Sequence, residues 1–197
     1  MSELFKNLEK AALKAGITPR TRESIEWFRK KASTIRGVNT EQLMKSDRLD
    51  KTNNEVVGHM YMFSYDPKTK DKLPYYDSFP LAIVVGPADG GFYGLNLHYL
   101  PQTLRAKFLD ALLEITNNDK FDDTTKIKMS YNMLRKSSKM RYFQPCFKHY
   151  LTRHVKGQLA KVHASDYEIA TFLPTADWNK ASTFKVYADS RKIISGL

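Results

Sequence analysis

Apolar residues in the first 48 positions recur at the spacing of an α-helix. The first apolar stripe follows Ser2, a suitable N-cap residue, and ends near Gly16. It consists of Leu4, Leu8, Ala11 and Ala12. A second stripe begins after Thr21 and consists of Ile25, Phe28 and Ile35. The pattern predicts two amphipathic helices, which a polar connector over residues 47–54 joins to the rest of the chain.

From residue 56 onwards the apolar positions occur in short runs rich in aromatic and β-branched residues. Three such runs lie at residues 59–65, 81–85 and 92–97, and their composition is typical of β-strands. The turns between them, at residues 66–71 and 87–91, contain the proline and glycine that tight reversals need. Short strands joined by tight turns predict an antiparallel sheet or a small bent barrel.

Helical spacing returns after residue 100. Helices are predicted at residues 101–116, from Asp122 or Asp123 onwards, and at residues 146–155, 166–173 and 181–194. The helix after Asp123 has an apolar face of Ile127, Tyr131 and Leu134, and Ser165 is predicted to cap residues 166–173. A short edge strand is predicted at residues 159–162.

These elements predict the α+β class, with a small antiparallel sheet or bent barrel flanked by N-terminal and C-terminal helices. We divide the chain into a helical N-terminal segment, residues 1–51, and an α+β core domain, residues 52–197, with a basic C-terminal half.

Composition and charge narrow the choice of function. Hydrophobic residues make up 42% of the 197 positions, enough for a core, while the net charge is +11. The charge is +5 in residues 1–51 (12 basic, 7 acidic), −3 in residues 52–119 (5 and 8) and +9 in residues 120–197 (15 and 6). The single cysteine excludes an intrachain disulfide, and no apolar run has the length of a membrane span or a secretory signal core. We expect a protein made in the cytoplasm that does not associate with membranes.

The net charge of one segment almost equals that of the whole chain. Residues 124–164 contain ten Lys or Arg, three His and no Asp or Glu. The ten are Lys126, Lys128, Arg135, Lys136, Lys139, Arg141, Lys148, Arg153, Lys156 and Lys161. Because such a segment cannot neutralise itself by local ion pairs, it faces water, acidic surfaces elsewhere or a polyanion. Nucleic acid is the most abundant polyanion in a cell.

We interpret this acid-free segment as a phosphate-binding surface for DNA or RNA, with aromatic residues that stack on exposed bases. The predicted binding residues are Lys128, Arg135, Lys136, Lys139, Arg141, Lys148, Arg153 and Lys156. Arg29, Lys30 and Lys31 on the second helix form a possible second basic surface. Phosphate contacts carry no sequence information, so we expect nonspecific, salt-sensitive binding. The alternatives are a solvated face and a face that docks an acidic protein.

Catalytic and metal chemistry has little support in the sequence. Cys146 and His149 would be neighbours on the predicted helix, but a fourth ligand is missing and His154 points partly away. The cluster of Asp119, Asp122 and Asp123 is better explained as a helix start than as a nuclease metal site. The glycines do not have the spacing of a phosphate-binding loop. We therefore expect no metal, no cofactor, no small-molecule substrate and no enzymatic activity.

Tyr75 and Tyr76 lie in a short run between Pro74 and Pro80. They form either a rigid loop that closes the end of the sheet or a recognition loop that presents both tyrosines to a partner.

Several short segments of the sequence together resemble those of a group of small basic virion-associated proteins, which large contractile-tailed bacteriophages of the T-even type encode. The likeness covers roughly residues 58–191. Its segments are Gly58–Phe63, Tyr65–Lys68, Leu73–Asp77 with Phe79-Pro80, Gly94–Leu100, Asn118–Thr125 and Phe172–Pro174.

The resemblance implies a virion component, present in the host cytoplasm before assembly, that protects the ends of packaged DNA from host nucleases. Its expected partners are DNA and other virion proteins, and its expected place is at the DNA ends or the head–tail junction. The alternative is a purely structural tail, baseplate or neck subunit that binds acidic proteins without contacting DNA. A phage enzyme that acts on nucleic acid is a third possibility.

Overall fold

The structure is a computed structural model that describes residues 3–45, 49–137 and 139–196. Its helices are α1 (Glu3–Lys14), α2 (Arg22–Ala32), α3 (Thr40–Met44), α4 (Gln102–Thr116), α5 (Asp123–Ser137), α6 (Tyr167–Phe172) and α7 (Thr183–Ser195). Its strands are β1 (Asp50–Thr52), β2 (Met60–Tyr65), β3 (Tyr76–Asp77), β4 (Leu81–Ala88), β5 (Gly91–Asn96), β6 (Phe147–Leu151), β7 (Val155–Val162) and β8 (Trp178–Asn179). The predicted α+β class is confirmed.

Six of the strands form one antiparallel sheet in the order β1-β7-β2-β4-β5-β6. In the described part of the chain β1 and β6 each pair with one neighbour, so the sheet stays open instead of closing into a barrel. Strands β3 and β8 form a separate two-stranded ribbon, in which Tyr76 pairs with Asn179.

Both faces of the sheet are covered. On one face the buried side chains of the strands join those of the helices in a large cluster that includes Met60, Leu81 and Ile169. On the other face a smaller aromatic cluster forms around Phe63, whose ring lies 5.1 Å from that of Tyr150 in an edge-to-face contact. Lysine or arginine side chains that bind a ligand must therefore project from the rim and from the outer helix surfaces.

The N-terminal helices pack into the larger of these clusters. Phe5 of α1 and Phe28 of α2 are buried in it together with Met60 of the sheet. Helix α2 starts as predicted at Thr21, whose side chain accepts a hydrogen bond from Ser24 N at 3.1 Å, while Thr21 N donates to Ser24 Oγ. Ser2, the predicted cap of α1, lies outside the described residues. The division of the chain after residue 51 stays a prediction.

Two predicted elements of the C-terminal half are wrong. Residues 146–155 form strand β6 and a 3-10 turn instead of a helix, because β6 pairs along its whole length with β5. Residues 159–162 belong to the longer strand β7, which lies inside the sheet between β1 and β2 and is not an edge strand.

Other boundaries are shifted. Ser165 lies in a 3-10 turn, and α6 begins at Tyr167 without a side-chain cap. Strand β4 extends through Ala88, which shortens the predicted turn, and part of the predicted connector forms β1 by pairing with β7. The helices predicted at 101–116 and 181–194 are confirmed as α4 and α7.

Candidate nucleic-acid interface

Helix α5 presents a row of cations to solvent. Its start is fixed by Asp122, whose Oδ1 accepts a hydrogen bond from Thr125 N at 2.8 Å. Leu134 anchors the helix, being 1% exposed, whereas Tyr131 of the predicted apolar face is 36% exposed. The side chain of Ile127 lies outside the described part. We use the name α5 basic patch for the exposed residues Lys128, Arg135, Lys136, Lys139 and Arg141.

The lysines of the α5 basic patch are not neutralised by any carboxylate that the structure describes. Among the described residues, Lys128, Lys136 and Lys139 form no ion pair with a carboxylate. Arg141 is more committed, because its Nε donates to Ile193 O at 3.1 Å at the C-terminal end of α7. The patch therefore contains lysines without a described carboxylate partner, together with Arg141, which also holds the C-terminal end of α7.

The remaining predicted residues lie on a different part of the fold. Lys148 is in β6, Arg153 is in the 3-10 turn after it, and Lys156 is near the start of β7. Arg153 and Lys156 are exposed, and Lys156 Nζ lies 4.0 Å from Asp66 Oδ2, a distance at which a surface pair contributes little. The predicted binding residues thus fall into two groups, one on and just after α5 and the other on β6, the 3-10 turn and β7.

Because β6 is a strand, its side chains alternate between the faces of the sheet. Tyr150 is buried on the aromatic side, whereas Phe147 stacks on Tyr93 of β5 with ring centroids 5.1 Å apart. The proposed helical neighbours Cys146 and His149 are consequently not a ligand pair. Cys146 is fully buried, burial raises the pKa of its thiol to about 12, and His149 Nε2 contacts Asp89 O at 3.0 Å.

Lys148 has an unusual environment for a cation. Its Nζ lies 3.9 Å from the centroid of the Tyr99 ring, and the residue is half-buried. Removal from water lowers the pKa of Lys148. Within the described residues no carboxylate lies within ion-pair distance of this ammonium. The sequence pattern did not reveal the contact, because Tyr99 and Lys148 are far apart in the chain.

Lys148 lines a cleft of about 400 Å³, which we call the tyrosine cleft. It is formed by parts of the loop at residues 67–76, by Asn96 and Tyr99, and by strand β6. Tyr75 and Tyr76, the predicted partner loop, both line it. Tyr75 also packs against Trp178 of the β3-β8 ribbon, with ring centroids 6.3 Å apart, and whether the loop serves a partner stays a prediction.

A buried hydrogen-bond network lies beneath the tyrosine cleft. His98 Nδ1 contacts Asp77 Oδ2 at 2.7 Å, and His98 Nε2 contacts Thr175 Oγ1 at 3.2 Å. Burial lowers the pKa of His98, and although burial opposes ionisation of Asp77, the contacts with His98, Asn96 and Asp177 N lower the pKa of that carboxyl. A neutral His98 that donates from Nδ1 to an ionised Asp77 fits both directions. All three side chains are at most 3% exposed, so this network supports the cleft and is closed to a substrate.

Arg105 of α4 is bonded to this network, and nothing in the sequence pattern predicts its role. Its Nε donates to Leu100 O at 2.8 Å, and its Nη2 donates to His98 O at 3.1 Å. The guanidinium is buried and bonded to backbone carbonyls, so it has a structural role and is not a phosphate ligand.

The possible second basic surface on α2 is weaker. Arg29 pairs with Glu26 through a hydrogen bond of 3.1 Å from Nε, while Lys30 and Lys31 are exposed. The opposite side of α2 is buried through Ile25 and Phe28. This leaves two lysines available to a partner.

The described residues also bear on metal binding and membrane insertion. No group of three or more His, Cys, Asp or Glu side chains is placed to hold a metal ion. None of the described helices has both the length and the apolar character to span a membrane.

Comparison with known proteins gives the family. Residues 2–195 match the family described as Phage T4 terminal DNA protecting protein. The match extends over nearly the whole chain, and the chain therefore belongs to this family. The predicted resemblance to a T-even phage protein of the DNA-end-protector type is confirmed. Neither the curated proteins nor the solved structures include a match to this chain.

Proposed function

We propose that this protein binds the ends of duplex DNA without sequence preference and shields them from nucleases. The observation that carries the proposal is the set of exposed lysines on α5 that no described carboxylate neutralises, in a chain of a family described as DNA-end protecting. Such a surface gains free energy from a phosphate backbone mainly by releasing the counterions of the DNA.

The proposed role requires no chemistry beyond binding. Lysine and arginine contacts to phosphates fix the protein on the duplex, and the bulk of the fold then blocks access to the terminal base pairs. We propose a non-enzymatic protein of the virion, present in the infected cell before assembly. Its partners are DNA and neighbouring virion proteins, and its place is at the packaged DNA ends or the head–tail junction.

The test compares two triple variants with the same change in charge. Lys128→Ala, Lys136→Ala and Lys139→Ala together remove the free lysines of the α5 basic patch. Lys10→Ala, Lys14→Ala and Lys107→Ala remove exposed lysines from α1 and α4 and serve as the control. Binding to a linear duplex is measured by gel shift between about 50 and about 200 mM salt.

The patch variant should bind more weakly, and the slope of log K against log salt should become shallower by about 2.7, or about 0.9 for each lost phosphate contact. The control variant should keep a slope close to that of the unmodified protein. Equal losses in the two variants would mean that bulk charge, and not the α5 basic patch, drives binding.

Protection itself is tested by exonuclease digestion of linear and hairpin-capped duplexes in the presence of the protein. Linear DNA should survive in proportion to the fraction bound, and the patch variant should protect less. If the unmodified protein neither binds nor protects DNA but binds virion proteins, the role of a structural tail, baseplate or neck subunit replaces this proposal. If the protein cleaves the DNA in the presence of a divalent metal ion, the alternative of a phage enzyme that acts on nucleic acid is supported instead.

A further inference from the structure

We infer that the tyrosine cleft binds the terminal nucleotide of a DNA strand, with the Lys148 ammonium on its terminal phosphate. The inference rests on the proposed function and adds to it a specific site for the strand end, distinct from the α5 basic patch. The ligand class is a nucleotide that carries a phosphate monoester.

The size and lining of the tyrosine cleft suit such a ligand. Its volume of about 400 Å³ falls within the range of small-ligand sites. The lining combines aromatic rings from Tyr75 and Tyr76 with the ammonium groups of Lys148 and Lys68. Base–aromatic stacking accepts any of the bases, which fits binding without sequence preference.

The charge of the cleft favours an anion. Asp77 is the carboxylate that lines the cleft, but its oxygens are already occupied by hydrogen bonds. Oδ1 accepts from Phe79 N and Asp177 N, and Oδ2 accepts from Asn96 Nδ2 and His98 Nδ1. Asp189, which contacts Tyr75, is paired with Lys185 at 2.6 Å. Lys148 therefore keeps an uncompensated positive charge in a partly desolvated position, where a phosphate would be its natural partner.

The cleft wall is held in place before any ligand arrives. Lys180 Nζ donates to the carbonyl oxygens of Lys70, Asp71 and Leu73 at 2.6, 3.1 and 3.3 Å. These three bonds tie the loop at residues 67–76 to the segment after β8. A wall fixed in this way reduces the entropy lost on binding.

A strand end fits the site better than an internal nucleotide. Lys148 is the partly buried ammonium of the cleft, whereas Lys68, which also lines it, is exposed to solvent. A terminal monoester carries about −1.5 to −2 charges at pH 7, compared with a single charge on an internal diester. Lys148 thus favours a phosphorylated end over the continuous backbone.

The experiment uses fluorescence anisotropy with three forms of one duplex: 5′-phosphorylated, 5′-hydroxyl and closed by hairpins at both ends. Lys148→Met removes the charge and keeps the aliphatic stem. Lys161→Met is the control, because Lys161 is also a half-buried lysine in a strand and lies outside the proposed site. Thermal unfolding of each variant establishes that it is folded.

The unmodified protein and Lys161→Met should prefer the phosphorylated end over the closed duplex roughly tenfold or more, the effect of one charged hydrogen bond. Lys148→Met should lose this preference and keep its affinity for the closed duplex, which depends on the α5 basic patch. An unmodified protein that binds all three duplexes equally would overturn the cleft assignment and leave nonspecific DNA binding intact.

A second measurement needs no variant and no duplex. Trp178 lies 4.8 Å from the Tyr99 ring, so a nucleotide in the cleft should change its fluorescence. We expect saturable quenching by a 5′-phosphorylated dinucleotide, weaker quenching by the 5′-hydroxyl form and partial competition by inorganic phosphate. Identical responses to both dinucleotides, or none, would overturn the site even if Lys148→Met fails to fold. Quenching without duplex binding would instead retain the cleft and reject the proposed function.

Discussion

Glu168 is a carboxylic acid that lies almost completely inside the molecule, with 3% of its surface exposed. Its Oε1 accepts hydrogen bonds from Arg20 N at 3.1 Å and from Ser24 Oγ. Burial raises the pKa of Glu168 above its usual value of 4.5, and the two hydrogen bonds oppose this only in part. Glu168 thus links α6 to the start of α2, but its burial makes ionisation of the carboxyl unfavourable.

The sign of the pH effect follows from this raised pKa. Above pH 4.5 the unfolded chain releases the Glu168 proton first, while the folded protein retains it until the higher pKa is passed. The free energy of unfolding that Glu168 contributes therefore falls as pH rises through this window. Glu168→Gln cannot ionise and retains an acceptor for Ser24, so its stability relative to the unmodified protein should increase as the pH rises above 4.5.

Urea unfolding at a series of pH values measures this difference. Glu23→Gln on the exposed side of α2 is the control and should follow the unmodified protein. A difference between Glu168→Gln and the unmodified protein that is constant with pH would show that Glu168 does not titrate in this window.

Strand β6 is the element in which pairing with a distant strand overrides a helical spacing of apolar residues. Phe147, Tyr150 and Leu151 have the spacing of a helical face, which explains the wrong prediction of a helix at residues 146–155. The ladder with β5, in which Phe92 pairs with Tyr150 and Gly94 pairs with Lys148, supplies hydrogen bonds between segments far apart in the chain. A helix such as α4 depends on neighbours in sequence and was predictable, whereas β1, β6 and the full length of β7 depend on distant partners.

The candidate site likewise has a part that the sequence predicts and a part that only the fold reveals. The lysines of the α5 basic patch were predictable, because charge and helical spacing both act over a few residues. The tyrosine cleft was not, because the contact of Lys148 with Tyr99 requires the fold. The sequence singles out Tyr75 and Tyr76, but only the fold shows that they line the same cleft as Lys148.

The pairing of β5 with β6 can be tested at Gly91. A Cβ atom at this position would overlap Tyr150 O, so Gly91→Ala must push the two strands apart. We expect a loss of about 1–3 kcal/mol in the free energy of unfolding. For a chain of this size that lowers the midpoint of thermal unfolding by about 2–4 °C per kcal/mol.

Gly86→Ala is the matched control, since a Cβ added to this glycine of β4 meets no heavy atom within 4 Å. Its unfolding midpoint should change little or rise slightly. If Gly91→Ala were as stable as Gly86→Ala, the close approach of β6 to β5 would be incorrect, and with it the position of Lys148.

At the scale of the whole molecule, four carboxylates of the anionic middle segment have partners outside α5. Asp110 and Glu114 of α4 pair with Arg22 of α2, each at 2.9 Å, and Asp66 pairs with Lys70 of its own turn at 2.9 Å. Asp77 is buried against His98. None of these four carboxylates pairs with a lysine of the α5 basic patch, so the charge of those lysines stays available to an external anion.

The packing of the N-terminal helices against the sheet predicts that the two unfold together. Phe28 of α2 and Leu81 of β4 belong to one buried cluster, so we expect the N-terminal helices and the sheet to unfold in a single cooperative transition. The chain has two tryptophans, which lie in different parts of the fold: Trp27 in α2 and Trp178 in β8. Trp178→Phe and Trp27→Phe each leave one reporter, and urea titrations of both, followed by fluorescence and far-UV circular dichroism, should give coincident midpoints after correction for each variant's own stability. An earlier transition at Trp27 alone would instead support two units divided after residue 51, with α1 and α2 able to separate while the rest of the chain stays folded.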